Sequence, residues 1–147
     1  MKNEKGFTLI EVLVALAILA IVGTGFLMAL AIASKAIIIA DERTTAESLA
    51  RSQMEHVKNQ DYSTINVYWD YTVTDSGPSS SYEPDWWDNA PPPSVPDGYT
   101  VNVSATPLPD PENSGSDLVG IQKITVSIYH NDESNPVLTL EDYKVDR

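Results

Sequence analysis

An uninterrupted apolar run near the N-terminus is the feature that most constrains this chain. Between Val12 and Ala33 there is no charged side chain, and the next charge is Lys35. A transmembrane helix needs about 20 predominantly apolar residues. A secretory signal peptide has a shorter apolar core followed by a small-residue cleavage site, and no convincing site follows this run. The sequence therefore predicts a membrane-spanning helix that is retained.

The charges on either side of the run predict its orientation. Lys2 and Lys5 precede it, which favours a cytoplasmic N-terminus under the positive-inside bias. From Asp41 onward the chain has 19 acidic and 6 basic residues, and this part would lie outside the cytoplasm. An acidic surface is repelled by nucleic-acid phosphates and by anionic lipid headgroups, so we expect no nucleic-acid partner. The chain has no cysteine, so its outer part depends on a packed core.

The residues after the run extend the same helix. No proline occurs before Pro78, and residues 41–58 are mostly good helix formers. One narrow apolar face recurs at helical spacing, formed by Ala46, Leu49, Ala50, Met54 and Val57. We expect a single helix from Phe7 to about Asn59, on the order of 80 Å long. Its second half must then pack on something outside the membrane.

The rest of the chain has the pattern of a small antiparallel sheet. Alternating apolar and polar residues predict strands in four segments, 66–74, 98–105, 123–130 and 136–145. The sequence NDESN between the last two strands predicts a hairpin loop. Two segments rich in Pro, Ser and Asp, 75–97 and 106–117, are expected to be long loops without regular structure. The predicted fold class is α+β, a long helix whose outer half covers one face of the sheet.

A short motif, KGFTLIE, opens the helix. It places Gly6 before Phe7 and a carboxylate, Glu11, at the start of the apolar run, although an acidic residue at mid-membrane costs about 2.5–3.5 kcal/mol even on mild scales. Spacing alone leaves two interpretations, since Glu11 either extends to the headgroup region or is kept for a cationic partner.

The stretch from Lys5 to about Ala20 closely resembles the processing and assembly signal of type IV pilins and the related pseudopilins. That signal is a short basic leader ending in glycine, then Phe-Thr-Leu-Ile-Glu at the start of an apolar helix. The plan of a long helix followed by a sheet extends the resemblance loosely over the chain. The segments AESLARSQMEHVKNQDYSTI and LTLEDYKVD look like V-type minor pilins and the I-type minor pseudopilin of type II secretion.

The resemblance implies a role for each residue of the motif. Gly6 would precede the bond cut by prepilin peptidase, Phe7 would become the N-methylated terminus, and Glu11 would pair with the terminal amine of a neighbouring subunit. The chain would then divide into a leader (1–6), a long helix (7–60, with about 7–40 in the membrane or filament core) and an extracytoplasmic β-rich domain (61–147). Removal of the leader changes the side-chain charge from −12 to −13.

The implied function is that of a structural subunit of a type IV pilus or a type II secretion pseudopilus, and we expect a minor subunit. The implied partners are other pilin or pseudopilin subunits, prepilin peptidase and an inner-membrane assembly platform, with no cofactor. The location would be the cytoplasmic membrane, and outside the cell or in the periplasm after assembly. Three alternatives stay open: a major pilin, a signal-anchored extracytoplasmic binding module that never polymerises, and a DNA-uptake pilin, which the acidic exterior disfavours.

One departure from the pattern concerns the apolar helix, which has no proline although many pilins have one there. Gly23 and Gly25 flank Thr24 and lower helix propensity locally. They either provide the same local flexibility or allow close packing of helices, as small residues do in membranes.

Other candidate sites are weaker. The histidines His56 and His130 are expected on the solvated surface, and residues of the sequence HNDES (His130, Asp132 and Glu133) are expected to share only a turn. Of the two loop tryptophans, Trp86 and Trp87, one is expected to fold back as an anchor, the alternative being contact with a partner or a sugar.

Oxygen ligands gather in the second loop around Gly115, at Asp110, Glu112, Asn113 and Asp117. Such ligands can bind calcium, but their spacing is not that of an EF-hand, so a metal site is not our expectation. The sequence contains no phosphate-binding glycine loop, zinc-type ligand spacing or nucleophile elbow. We therefore expect that the protein is not an enzyme.

Overall fold

A computed structural model describes residues 6–63, 68–109, 117–131 and 133–146. The chain divides into two compact units, which we call the apolar unit (Met1–Ala40) and the folded unit (Asp41–Arg147). The described residues form one helix and five strands: α1 (Leu9–Asn59), β1 (Trp69–Thr74), β2 (Gly77–Tyr82), β3 (Tyr99–Pro109), β4 (Asp117–His130) and β5 (Leu138–Val145). The α+β prediction is confirmed.

The strands form one antiparallel sheet in the order β2-β1-β3-β4-β5. Alternate residues of the central strands point to one face and are buried, as the period-2 pattern predicted. In β3 these are Val101, Val103 and Ala105, and in β4 they are Ile124, Val126 and Ile128. The hairpin predicted between the last two strands is confirmed, since Ile128 pairs with Leu138 at its closed end.

The part of α1 that belongs to the folded unit covers this face. Ala46, Ala50 and Val57 are fully buried, Met54 is nearly so, and Leu49 packs at the margin. The predicted apolar face is confirmed. Because two of its residues are alanines, the helix axis can approach the sheet closely while the large side chains come from the strands.

Aromatic side chains fill the space beside the helix. Trp69 and Tyr71 of β1 are buried with their rings stacked 6.0 Å apart, and Trp86 meets Trp69 edge-on at 5.8 Å. Trp86 is therefore the loop anchor that the sequence predicted, whereas Trp87 is half-buried and contacts Tyr71. Burial of large aromatic rings is strongly stabilising.

Some of the buried polar side chains were not expected, and Gln53 is one of them. Gln53 lies on the apolar face of α1, donates from Nε2 to the Pro93 carbonyl at 2.8 Å and accepts from the Tyr71 hydroxyl at 3.2 Å. Burial raises the pKa of the Tyr71 hydroxyl well above its ordinary value. Since buried polar groups are costly unless hydrogen-bonded, this pair ties the proline-rich segment to both the helix and the sheet.

Lys144 of β5 is another buried polar residue that was not expected. Its ammonium donates to the carbonyl oxygens of Val57 at 2.6 Å and of Asp61 at 2.9 Å, at the end of α1. The last carbonyls of a helix have no partner within the helix, and a cation there also interacts favourably with the helix dipole. Burial lowers the pKa of Lys144 to about 8, although the carboxylates of Asp61 and Asp85 act in the opposite direction.

Three boundary predictions need correction. The segment 75–97 was expected to lack regular structure, but it contains β2, which pairs with β1. Pro78 is tolerated there because β2 is an edge strand, and its serine-rich sequence shows no apolar alternation. The second predicted loop is shorter, since β3 continues to Pro109 and β4 begins at Asp117. The helix begins at Leu9 rather than Phe7.

Candidate functional site

The residues of the KGFTLIE motif form the start of α1. Thr8 is the N-cap, and the amide of Glu11 donates to the Thr8 hydroxyl at 3.4 Å while the amide of Thr8 donates to the Glu11 carboxylate at 3.4 Å. The Thr8 carbonyl also accepts from the amides of Glu11 and Val12. This reciprocal arrangement is a capping box, which satisfies amides that have no partner within the helix. The spacing Thr-x-x-Glu could have revealed it from the sequence.

The capping box fixes where the Glu11 carboxylate lies. It sits in the first turn of the helix, where the helix dipole favours negative charge, and it follows Phe7 by four residues. The carboxylate therefore has a local role in addition to any role toward a partner. Its contact to Thr8 is long, and the side chain is exposed, so it remains able to accept from a second donor.

Gly6 and Phe7 precede the cap in an exposed, non-helical stretch. A Cβ added at Gly6 would meet nothing within 4 Å, so folding of the chain does not require glycine at this position. Phe7 is 82% exposed, which is unfavourable for an aromatic ring in water. Neither residue contributes to the core of the folded unit.

The apolar unit continues as α1 without a break through Gly23 and Gly25, where an added Cβ also meets nothing within 4 Å. Hydroxyl groups in this segment bond back to the helix, Thr24 to the Ala20 carbonyl and Ser34 to the Leu30 carbonyl, each at 3.0 Å. Such bonds satisfy hydroxyls in an apolar environment. Whether the two glycines serve flexibility or packing stays a prediction.

One helix in the described part of the chain, α1, is long and apolar enough to cross a membrane. Its large apolar side chains in the apolar unit are exposed, among them Ile21, Phe26 and Met28. An exposed apolar surface of this extent needs lipid or protein around it. The helix therefore fits a single-pass membrane anchor.

The two histidines do not lie on the solvated surface as predicted. His56 is half-buried and packs edge-on against Trp86 at 5.5 Å, and its Nε2 has no hydrogen-bond partner within the described residues. Burial is the main cause that lowers the pKa of His56, and the nearby charge of Lys144 adds to it, although a hydrogen bond to the backbone of Ala90 acts in the opposite direction. The ring of His130 packs against Tyr99 with the centroids 4.6 Å apart and the planes tilted by 33°, and its Nδ1 lies 3.5 Å from a Glu42 carboxylate oxygen.

The remaining candidates form no site in the part of the chain that the structure describes. The oxygen donors considered around Gly115 (Asp110, Glu112 and Asn113) lie outside the described residues, as does Asp132 of the HNDES turn. Asp117 begins β4. Among described residues there is no group of three or more His, Cys, Asp or Glu side chains that could hold a metal ion.

Comparison with known proteins bears on the N-terminal segment. Residues 1–27 match the family model described as the prokaryotic N-terminal methylation motif, which is the prepilin signal of type IV pilins and pseudopilins. No curated protein and no solved structure matches the chain significantly. Proteins of the pilin type are structural and assemble with other pilin subunits after recognition by prepilin peptidase. The chain therefore carries the N-terminal methylation motif of type IV pilin-like prepilins at the start of a long apolar helix, and a five-stranded sheet follows that helix.

Proposed function

We propose that the chain is a structural subunit, a minor pilin or pseudopilin, that is cut after Gly6, N-methylated at Phe7 and polymerised through α1. In the membrane its N-terminus is cytoplasmic and its folded unit extracytoplasmic. The observation that carries the proposal is the match of the methylation motif to residues that begin a long, exposed, apolar helix. The chain has no nucleotide-binding motif, so a separate ATPase would supply the energy for extraction.

The Glu11 carboxylate has a chemical reason to take part in assembly. Cleavage after Gly6 would create an ammonium group at Phe7, and a carboxylate in an apolar environment is tolerated when a cation meets it. In the proposed filament the ammonium of one copy meets Glu11 of its neighbour. A neighbour in the wrong register would leave both charges unpaired, so the pair selects one register.

Mass spectrometry of the N-terminus of protein isolated from its own cell tests the processing step. We expect a chain that begins at Phe7 and carries a methyl group on its amine. A chain that keeps residues 1–6 would contradict the proposal and favour a signal-anchored binding module that does not polymerise. The copy number of the chain in purified filaments would then separate a minor subunit from a major one.

The variant Glu11→Ala tests the assembly step. We expect normal cleavage but a loss of about tenfold or more in the amount recovered in sheared filaments, because the terminal ammonium loses its partner. Glu55→Ala, which removes an exposed carboxylate from the folded unit, is the matched control. Recovery of Glu11→Ala in filaments at the wild-type level would count against the proposed role of Glu11.

A further inference from the structure

Two exposed tyrosine rings lie side by side at one edge of the sheet. Tyr68, which precedes β1, is 41% exposed, and Tyr82, which ends β2, is 55% exposed. Their ring centroids are 5.8 Å apart and their planes are 77° to each other. The core of the folded unit uses other aromatic rings, so these two are available to a partner.

The carboxylate of Asp70 is hydrogen-bonded to both tyrosines. It accepts from the Tyr68 hydroxyl at 3.4 Å and from the backbone amide of Tyr82 at 3.2 Å. Asp70 and Tyr82 are also directly paired in the register of β1 and β2. Each carboxylate oxygen accepts one of these bonds and has a lone pair for a further donor. We call Tyr68, Asp70 and Tyr82 the aromatic corner.

The charge of the surrounding chain favours a cation at the aromatic corner. Between Lys58 and Lys123 the sequence has ten acidic residues and no lysine, arginine or histidine. Within the described residues every ion pair takes its cation from outside this stretch, and Asp70 belongs to none of them. Since interfaces place opposite charges against each other, the complementary ligand is positively charged.

The chemistry of the aromatic corner selects the kind of cation. The face of a tyrosine ring attracts an organic cation, and a guanidinium group also stacks on rings and donates two parallel N–H bonds to a carboxylate. A hard metal ion takes several oxygen ligands, and the described residues contain no group of three or more potential metal ligands. A quaternary ammonium has no N–H to donate to Asp70. The guanidinium of arginine uses both the rings and the carboxylate.

We infer that the aromatic corner binds an arginine side chain of another protein chain. Among the described strands β2 is outermost, so no further described strand covers this edge. Arginine and tyrosine are enriched among the residues that carry most of the binding energy of protein interfaces. Under the proposed function the other chain is a further subunit of the assembly, and only this identification rests on that function.

A titration of the full chain in a neutral detergent tests the binding. The tyrosines are isotope-labelled, and the ring signals of Tyr68 and Tyr82 are followed by NMR. We expect saturable shifts with N-acetylarginine methylamide. Binding of N-acetylcitrulline methylamide, which has a similar shape but no charge, should be at least about fivefold weaker. This comparison uses the wild-type chain and depends on no variant.

Variants separate the aromatic corner from the general negative charge. We expect Asp70→Asn to weaken binding of the arginine compound by about fivefold and Tyr82→Leu by about threefold. The matched control Asp75→Asn removes the same charge from the turn after β1, about 16 Å along the strand from Asp70. Salt screens a charge at that distance, so binding should stay within about twofold of wild type. The melting temperature of each variant shows whether it is folded.

Three results would overturn the inference. The first is equal binding of the arginine and citrulline compounds, or wild-type binding by folded Asp70→Asn. The second is saturable shifts with cellotriose alone, which would indicate a sugar site. The third is tighter binding of tetramethylammonium than of the arginine compound, which would indicate recognition by the rings alone. The measurement needs neither cleavage after Gly6 nor a filament, so failure of the proposed function would produce none of these results.

Discussion

The apolar unit and the folded unit use apolar side chains in opposite ways. In the folded unit the large side chains converge on one core, with Trp69, Ile124 and Ile128 fully buried between sheet and helix. In the apolar unit side chains of similar size, such as Leu19 and Phe26, are about two-thirds exposed. The folded unit therefore contains what it needs for stability, whereas the apolar unit needs an apolar environment from outside the chain.

Under the proposed function, this contrast explains how one chain is first stored in a membrane and then assembled. A helix with no core of its own can exchange lipid for the helices of other subunits, because both environments are apolar. A domain with its own core can keep its structure through that exchange. Changes in the two units should therefore have separable effects, on stability in one and on insertion or assembly in the other.

The largest difference between the two units is expected for the free energy of unfolding, in the variant Trp69→Ala. Truncation of a fully buried tryptophan should lower the free energy of unfolding of the folded unit by about 3–5 kcal/mol. The matched change in the apolar unit, Leu19→Ala, should leave that free energy unchanged, because Leu19 is 66% exposed. Denaturant titration of the full chain in detergent, followed by the fluorescence of Trp86 and Trp87, measures both. Equal destabilisation by the two variants would break the distinction between the units.

The sequence predicted the contrast itself and much of the fold. The charge-free run, the period-2 strands and the helical face that includes Ala46 and Val57 are local patterns, and local patterns are what a sequence displays. The strand β2 was missed because it contains Pro78 and consecutive serines, which show no strand pattern. It forms through its pairing with β1 at the edge of the sheet. The partial burial of His56 was not predicted for the same reason, because Trp86, which packs against it, is 30 residues away in the chain.

The sequence predicted the candidate site only in part. The motif from Gly6 to Glu11 could be recognised because it is a fixed order of adjacent residues, which a sequence displays without the fold, and the family match covers that segment. The capping role of Thr8 was visible in the spacing and was overlooked. The buried polar contacts of Gln53 and Lys144 could not be predicted, because each joins elements that are far apart in the chain.

A smaller effect, again confined to the folded unit, is expected from Lys144→Met. The variant keeps the apolar stem but leaves the carbonyls of Val57 and Asp61 without their donor, which should cost about 1–3 kcal/mol of unfolding free energy. Lys58→Met is the control, because the Lys58–Asp142 pair is solvent-exposed and such pairs contribute about 0–1 kcal/mol. If Lys58→Met cost as much as Lys144→Met, the capping role of Lys144 would be wrong.

The smallest effect concerns the response of the two units to acid. The pKa of His56 is lowered from 6.5 in the folded chain, mainly by burial, so the unfolded chain binds the proton more tightly. The stability that neutral His56 provides is therefore present above pH 6.5 and is lost as the pH falls through the lowered pKa. The apolar unit has only Glu11 and Lys35 as ionisable side chains among its described residues, and neither is a histidine.

We expect acidification from about pH 7 to about pH 5 to lower the melting temperature of the folded unit. The variant His56→Phe should weaken this pH dependence, and it keeps an aromatic ring against Trp86. His130→Phe is the control, since His130 contacts Glu42 at the other end of the packed helix segment. Helix content of the apolar unit in detergent should not change over the same range. An unchanged slope in His56→Phe would show that the acid response arises elsewhere, and a loss of helix in the apolar unit would show that the two units do not respond separately.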